Sequence, residues 1–424
     1  MTPPSASALS RREIFRLTAL SSVATLAGSL VTASAAESSS AAAPELPYTP
    51  LPIDPRIEAA LQKIPNPVLL YDLGQVEKNY KSFVEADPKV DIHYAVKCAP
   101  NARVMERLVR NGSGFDVASP AELDLALSVG ADVSKCIYSN TVKFPADIAY
   151  AHSKGVKAFL ADTEEEVRLQ AKNAPGSRLY VRLIVHNLEA AHPLGEKFGT
   201  TPEKAKELLR LGKELGLEPY GTHFHVGTQC FAAKAWEVPT RQAAGIFRDL
   251  KKEGITLSFF DIGGGFPVQY LGRKVPTNAE IIDLVRGILK EELPDHPLTL
   301  AVEPGRGMVG NAALMSTRVM LRATRPDAEW LHLDVGVYQG FSDAPDGIRY
   351  SINAPGRSGK PTPFTLCGPT CDSADTLSTH QFMPGDVQTG DFLIINKAGA
   401  YAECLFSHFN GIKPPEVRYA DDLV

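Results

Sequence analysis

The chain has 424 residues and a net charge of −5. This length is enough for two domains with substantial cores. The mild negative charge and the lack of a basic cluster argue against nucleic acid as a partner and against an anionic membrane surface. Six cysteines in so long a chain do not indicate a disulfide scaffold, and Cys367 and Cys371 lack the spacing and the second pair of a zinc knuckle.

The N-terminal segment has the features of a twin-arginine (Tat) export signal. Arg11 and Arg12 precede a moderately apolar run over residues 17–31, and residues 33–35 form a small-x-small cleavage site. The run is too short and too polar for a stable transmembrane helix, so an uncleaved anchor or a disordered tail is the less favoured alternative. We expect a signal over residues 1–36, then a linker and N-terminal segment over residues 37–70. The mature protein would be periplasmic or exported, with no membrane attachment.

Strand-like apolar runs alternate with helical patterns from Val68 to about residue 312. The predicted barrel strands are residues 92–96, 114–117, 136–139, 158–160, 179–185, 220–226, 257–262 and 298–303. The helical stretches between them include residues 121–129, 164–172, 202–215, 233–252 and 279–292. Eight strand–helix units predict an α/β fold, a TIM (β/α)8 barrel over residues 71–312. In such barrels functional side chains lie at the C-terminal ends of the strands.

The pattern changes after about residue 312. Short strands are predicted over residues 316–321, 330–334, 363–367 and 392–396, separated by Pro/Gly turns and with little helix. We therefore predict a C-terminal β domain over residues 313–424, of a β-sandwich or β-barrel-like kind.

Lys97 follows the first of the predicted barrel strands, and Pro100 and Asn101 then end that element. A buried lysine loses affinity for its proton, and a neutral amine is a nucleophile that can form a Schiff base. A lone strand-end lysine more often extends into water. The motifs at the other strand ends favour the reactive interpretation here.

Two strand ends carry acidic or histidine side chains. Asp116 ends the second strand, and Ser119 with Glu122 fits a capping box for the next helix. His223 and His225 alternate along the sixth strand and so share one face. No third metal ligand stands near this pair in the sequence, and we expect no metal site.

The seventh and eighth strands end in glycine-containing motifs. Gly264 and Gly265 lie in a run that lets backbone N–H groups approach a phosphate, although a plain tight turn is the alternative. The spacing is not that of a dinucleotide-binding GxGxxG motif. Gly305 and Arg306 follow Glu303 at the eighth strand end, where an arginine suits a phosphate or a carboxylate.

These motifs, in this order, resemble the pyridoxal-phosphate (PLP) decarboxylases of the ornithine, lysine and diaminopimelate family, over residues 68–411. The resemblance implies PLP as cofactor, anchored by Lys97 with Asp116 beside it. It implies that His225 stacks on the pyridine ring and that Thr228 contacts the phosphate. Glu303 resembles the carboxylate that keeps the pyridine nitrogen protonated, which makes the ring a strong electron sink. The other implied cofactor-binding residues are Gly264, Gly265, Gly305, Arg306 and Tyr401.

The resemblance continues into the β domain. Cys371 resembles the cysteine that returns a proton to Cα after carbon dioxide leaves, and Asp372 resembles the acid that receives the distal ammonium. Tyr338 and Phe409 resemble further substrate-binding residues. In the family Cys371 and Asp372 reach across a dimer interface, so a homodimer with shared active sites is implied. The resemblance also implies that the segment before Tyr71 packs in the β domain.

The expected reaction is decarboxylation of L-ornithine and/or L-lysine to putrescine or cadaverine. Family members that act on diaminopimelate carry Glu where this chain has Asp372. Asp334 lies one residue from the position of the second acid in eukaryotic ornithine decarboxylases, and on a strand it points the other way. The pattern resembles the bacterial lysine/ornithine subgroup and leaves the choice of substrate open. Alternatives are another cationic amino acid, such as diaminopimelate or carboxynorspermidine, or a non-catalytic PLP-binding protein, against which Cys371 and Asp372 argue.

Overall fold

The computed structural model describes residues 47–65, 67–192, 195, 197–326 and 328–423. The predicted export signal lies outside these residues. Within the described part of the chain, no helix has the length and apolar character needed to cross a membrane.

The described strands and helices follow the alternation that the sequence predicts. The strands are β1 (Val68–Tyr71), β2 (Asp91–Ala95), β3 (Gly114–Val117), β4 (Cys136–Tyr138), β5 (Ala158–Ala161), β6 (Arg178–Leu183), β7 (Ala190–His192), β8 (Glu218–Phe224), β9 (Thr228–Cys230), β10 (Phe259–Asp261), β11 (Thr299–Val302), β12 (Ala313–Thr324), β13 (Glu329–Leu333), β14 (Ile352–Asn353), β15 (Pro361–Cys367), β16 (Thr376–Pro384), β17 (Phe392–Asn396) and β18 (Glu416–Tyr419). The helices are α1 (Pro55–Leu61), α2 (Leu73–Ala86), α3 (Ala102–Arg110), α4 (Pro120–Ser128), α5 (Pro145–Lys154), α6 (Glu164–Asn173), α7 (Pro202–Glu214), α8 (Glu237–Lys252), α9 (Asn278–Glu292) and α10 (Arg306–Val309).

Eight parallel strands close into a barrel in the order β2-β3-β4-β5-β6-β8-β10-β11. Closure is made where β11 pairs with β2, with Ala301 opposite Asp91 and Val302 opposite Ile92. Strands β7 and β9 form a separate antiparallel pair. All eight predicted barrel strands are present, and the TIM-barrel prediction is confirmed.

The barrel has an apolar core inside and a second layer between strands and helices. Six buried residues from five barrel strands form the inner cluster: Ile137, Ala158, Leu160, Tyr180, Phe259 and Ala301. Because side chains alternate along a strand, the other set packs outward against the helices in one large cluster. The inner cluster makes the barrel a packed scaffold whose strand ends are held in place.

The remaining strands build the predicted β-sheet domain. They form one eight-stranded sheet with the path β14-β17-β12-β13-β15-β16, and β1 pairs with both β12 and β18. Strand β1 precedes the barrel in sequence but lies in this sheet, antiparallel to β12 and parallel to β18. The exact boundaries predicted between the signal, the linker, the barrel and the β domain stay predictions.

The β domain meets the barrel beside Lys97. The backbone N–H of Tyr401 donates to the carbonyl of Cys98 at 2.9 Å, and the Asn101 amide donates to Glu403 at 3.0 Å. A loop of the β domain therefore helps to enclose the mouth of the barrel.

Candidate active site

Lys97 lies in a short 3-10 turn directly after β2. Its Nζ donates to Oδ2 of Asp116 at 2.5 Å, and the side chain of Asp116 is fully buried at the end of β3. Enclosure by the cavity walls would lower the pKa of Lys97, but the carboxylates of Asp116 and Glu303 outweigh it and raise that pKa. The sequence prediction that this lysine loses affinity for its proton is wrong, because 44% of the side chain is exposed to the cavity and an acid lies beside it.

Glu303 follows β11 and is buried at the end of the barrel. One carboxylate oxygen lies 3.0 Å from Nε2 of His223, and the other accepts a hydrogen bond from Ser139. Burial would raise the pKa of Glu303, but the charge and hydrogen bond of His223 outweigh it and lower that pKa. Glu303 is therefore an ionised carboxylate, the state required to pair with a protonated pyridine nitrogen.

His223, Asp261 and Glu303 place their ligand atoms within 4.8 Å of one another. A metal ion could use that spacing. No local sequence pattern indicates this group, because its members lie on or directly after three different strands. However, Ser139 and His223 already contact both oxygens of Glu303. We therefore interpret the group as a hydrogen-bonded cluster.

His225 lies between the barrel strands and the cavity, at the end of β8. Its Nδ1 accepts the backbone N–H of Gly227 at 2.9 Å, which leaves Nε2 as the protonated nitrogen. Burial and the nearby cation of Arg182 hold the pKa of His225 well below its ordinary value. A neutral, flat imidazole at the cavity wall suits stacking against an aromatic ring, the role implied by the sequence.

Arg306 begins α10 and is fixed by two partners. Its guanidinium donates to the hydroxyl of Tyr270 at 3.1 Å and forms an ion pair with Asp343. Its Nε is buried with no hydrogen-bond partner among the described residues. The ring of Tyr401 lies 5.1 Å from the guanidinium carbon. This end of the cavity therefore carries a fixed positive charge and a free donor, which suits a phosphate.

Gly264 and Gly265 form the adjoining wall. A Cβ on Gly264 would lie 2.8 Å from Nε2 of His225, and Gly265 has a φ of +98°. Glycine is required at both positions, since a side chain would fill the space beside His225 or strain the backbone.

One cavity joins these features, and its empty space of about 330 Å³ is partly open to solvent. It is lined by Ala95, Lys97, His225, Thr228, Gln229, Gly264, Gly265, Phe266, Glu303, Gly305, Arg306 and Tyr401. All the predicted cofactor-binding residues line it except Asp116, which contacts it through Lys97. The structure thus brings the predicted cofactor residues together in one place.

The predicted substrate residues form a separate group in the β domain. The hydroxyl of Tyr338 donates to Asp372 at 2.5 Å, and the rings of Tyr338 and Phe409 lie 5.0 Å apart. The backbone N–H of Cys371 donates to Asn410 at 3.0 Å. None of the four predicted residues lines the cavity. Cys371 is exposed in the single chain.

Two other predicted acids have structural partners. Ser119 caps α4 by accepting the backbone N–H of Glu122, but the Glu122 carboxylate accepts from Ala118 at 2.7 Å. Asp334 accepts from the Thr317 hydroxyl and from the backbone of β12. Both acids therefore satisfy neighbouring backbone donors.

The sequence reasoning missed Ser139, Tyr180, Tyr270 and Asp343. Ser139 follows β4 directly, so its strand-end position was a usable signal. Asp343 lies in a loop of the β domain, 37 residues from Arg306, and no local pattern indicates that pairing.

The residues present fit pyridoxal phosphate. They supply an amine for an aldehyde, a carboxylate for a ring nitrogen, a flat neutral imidazole and an unpaired donor on Arg306 for a phosphate. An anion site near the last two barrel strands is common in TIM barrels. The fold and the cavity together define a PLP-binding barrel.

Comparison with known proteins carries the identification further. The pyridoxal-binding domain of the pyridoxal-dependent decarboxylases matches residues 73–310. A lysine/ornithine decarboxylase of Selenomonas ruminantium is 33% identical over 356 residues, which cover 84% of this chain and 90% of the relative. The crystal structure of lysine decarboxylase from the same organism has a TM-score of 0.79 at 30% identity, covering 88% of this chain and 98% of that one. A lysine/ornithine decarboxylase of Vibrio vulnificus complexed with cadaverine has a TM-score of 0.77 at 30% identity, covering 86% and 97%. The chain belongs to the pyridoxal-dependent decarboxylases, and it is a PLP-dependent enzyme.

Proposed function

We propose that this enzyme decarboxylates L-lysine, L-ornithine or both, releasing carbon dioxide and forming cadaverine or putrescine. The observation that carries the proposal is the single cavity in which Lys97, the ionised Glu303 and Arg306 are held together. The relatives named for lysine and ornithine decarboxylation match most of the chain, which supports the same substrate class.

Each group of cavity residues would contact a different part of the cofactor. Arg306, Gly264 and Thr228 would hold the phosphate, His225 would lie against the ring, and Lys97 would anchor the aldehyde carbon. When bound, PLP supplies an electron sink for the electron pair left at Cα as carbon dioxide departs. Glu303, held as a carboxylate, keeps a proton on the ring nitrogen and so maintains that sink.

We further propose that the enzyme is a homodimer in which each copy completes the cavity of the other. Tyr338, Phe409, Cys371 and Asp372 lie together on the β domain, outside the cavity of their own chain. Asp372 is an acid whose pKa is lowered by the hydrogen bond from Tyr338, so it is ionised and suited to a distal ammonium. The exposed Cys371 thiol would deliver a proton to Cα once the partner subunit encloses it.

Steady-state kinetics on purified enzyme with PLP test the substrate assignment. We expect carbon dioxide release with lysine or ornithine, equal amounts of the matching diamine, and much weaker turnover of diaminopimelate, arginine and leucine. Lys97→Ala is the inactive control. Preferred turnover of diaminopimelate or of a neutral amino acid would contradict the proposal.

We also propose export through the Tat pathway. The support is the twin arginine at Arg11 and Arg12, followed by an apolar run and a small-residue cleavage site. Export of folded protein by this route suits an enzyme that loads its cofactor before leaving the cytoplasm.

A further inference from the structure

We propose that Ser139 and His223 are positioning residues that hold Glu303 in one orientation and keep it ionised. The inference rests on the proposed function, in which Glu303 faces the ring nitrogen of the bound cofactor. Neither residue lines the cavity, so both act through Glu303.

Each carboxylate oxygen of Glu303 has a hydrogen-bond partner. Ser139 Oγ donates to Oε1 at 2.5 Å, and His223 Nε2 lies 3.0 Å from Oε2. An ionised carboxylate only accepts hydrogen bonds, so Nε2 of His223 must be the donor. With 4% of Glu303 and 1% of His223 exposed, water does not compete for these contacts.

Tyr180 extends the arrangement behind Ser139. Its hydroxyl lies 2.8 Å from Ser139 Oγ, and because Ser139 gives its own proton to Glu303, Tyr180 donates to Ser139. Burial raises the pKa of Tyr180 well above its ordinary value, so the phenol keeps that proton. The four residues lie on four barrel strands or directly after them, so the rigid barrel fixes their spacing. Tyr180 lies on β6, His223 on β8, Ser139 directly after β4 and Glu303 directly after β11.

Asp261 leaves Glu303 as the one ionised carboxylate of this neighbouring pair. Burial and the neighbouring charge of Glu303 raise the pKa of Asp261 well above its ordinary value, so it retains a proton. Ionising both of two adjacent buried carboxyl groups is energetically unfavourable. Ser139 and His223 donate hydrogen bonds to Glu303, so Glu303 is the one that is ionised. The charged and titratable groups that interact with Glu303 are His223, Lys97, Asp116, Asp261, Tyr180, Arg182, His93 and His225.

The test compares donor-removing variants with donor-keeping ones. Ser139→Ala and His223→Leu each remove one donor, whereas Ser139→Thr and His223→Gln retain one. Thr222→Val is the matched control, because the Thr222 hydroxyl is buried beside His223 and has no hydrogen-bond partner among the described residues. For each purified PLP-loaded protein, the cofactor absorbance is titrated against pH without substrate, and kcat and KM are measured with lysine and ornithine.

We expect Ser139→Ala and His223→Leu to move the acid midpoint of the cofactor spectrum upward by about one pH unit and to lower kcat about 10- to 100-fold. This is the scale of losing one hydrogen bond to a charged group. KM would stay within about twofold, since the variants leave substrate contacts intact. Ser139→Thr, His223→Gln and Thr222→Val would stay close to the native enzyme.

An unchanged acid midpoint in both donor-removing variants overturns the inference, as does an equal shift in Thr222→Val. If His223→Leu does not fold, the result for Ser139→Ala is the test. This variant removes only one oxygen atom and is therefore expected to fold. The spectral titration needs no substrate. A native enzyme that releases no carbon dioxide from lysine or ornithine would therefore refute the proposed function while the titration still tests the role of Ser139 and His223.

Discussion

The carboxylate of Asp116 accepts a hydrogen bond from Nζ of Lys97 at 2.5 Å, and this contact sets the charge of the amine that we propose as the cofactor anchor. With its pKa raised by Asp116 and Glu303, the amine is an ammonium over the physiological pH range. An ammonium has no lone pair, so reaction with an aldehyde must wait for proton loss. In the unloaded enzyme, the neighbouring acids therefore keep this amine protonated and unreactive toward an aldehyde.

The first prediction concerns the pH dependence of cofactor uptake. Because the pKa of Lys97 is raised, the neutral fraction grows about tenfold per pH unit below that pKa, and uptake of PLP by the unloaded enzyme should accelerate with rising pH. Asp116→Asn removes the charge that raises this pKa, so uptake at neutral pH should become faster and its pH profile should move to lower pH. Stopped-flow absorbance of the PLP–lysine adduct measures the rate.

The exposed Asp132, in the loop before β4, gives a control variant, Asp132→Asn. The same profile in Asp116→Asn and in the native enzyme would show that Asp116 does not set the charge of Lys97. Lys97→Ala should give no adduct at any pH.

A second prediction concerns recognition of the distal ammonium. Asp372→Ala should raise KM for lysine and ornithine about 10- to 100-fold, because a charge-assisted hydrogen bond is lost. Tyr338→Phe removes the donor to Asp372 but keeps the ring packed on Phe409, so a smaller increase is expected. Asp421→Ala, at an exposed acid in the turn after β18, is the control. Equal KM values in the native enzyme and Asp372→Ala would remove Asp372 from the substrate site.

The fold and the rim of the site could be predicted because the relevant signals are local. The four residues at the ends of barrel strands are Lys97, Asp116, His225 and Glu303. The carboxyl ends of parallel strands in a closed barrel all lie at the same end of the barrel. The alternation of strands with helices predicted the barrel itself. The observed strands differ from the predicted ones by a few residues at their ends.

The hydrogen bonds that hold these strand-end residues in place could not be predicted. Ser139 and Glu303 are 164 residues apart, and their contact depends on the register of strands that no local pattern specifies. The predicted loss of proton affinity at Lys97 is wrong for a related reason. An apolar strand pattern indicates burial, but it does not indicate where a neighbouring carboxylate lies. Cys371 is exposed in one chain, and a sequence pattern does not indicate whether a second copy covers it.

A third prediction tests export. Replacing Arg11 and Arg12 with lysine should retain the protein in the cytoplasm, because the twin arginine is recognised by a receptor and is not a simple charge requirement. Fractionation followed by immunoblotting measures the distribution, and replacing Arg107 and Arg110 on α3 with lysine is the control for the same exchange elsewhere in the chain. Undiminished periplasmic recovery would contradict Tat dependence.

A fourth prediction tests the shared active site. Lys97→Ala and Cys371→Ala should each be nearly inactive alone. After the two proteins are mixed under conditions that exchange subunits, activity should return to about one quarter of the native value. Random exchange makes half of the dimers mixed. In each mixed dimer, the cavity with intact Lys97 receives the intact Cys371 of the partner subunit, so one of the two sites is complete. Activity that stays at the level of the separate variants would mean that Lys97 and Cys371 act within one chain.

The last prediction concerns the proton that Cys371 supplies. Loss of carbon dioxide leaves an electron pair at Cα, and an acid placed at that carbon completes the amine. General acids typically contribute about 10²- to 10⁴-fold, so Cys371→Ala should lower kcat on that scale. KM should change little, because the variant keeps Asp372, the residue that we propose binds the distal ammonium. The yield of diamine per carbon dioxide should also fall, since protons then reach other positions.

The measurement is the ratio of diamine to carbon dioxide during turnover, with the cofactor spectrum followed in parallel. Cys371→Ser keeps a polar group of similar size at the same backbone position and separates proton donation from packing. The exposed thiol contributes little to the fold of one chain, so Cys371→Ala should keep the thermal unfolding temperature of the native enzyme. A variant that forms one diamine per carbon dioxide at the native rate would assign the proton to another residue.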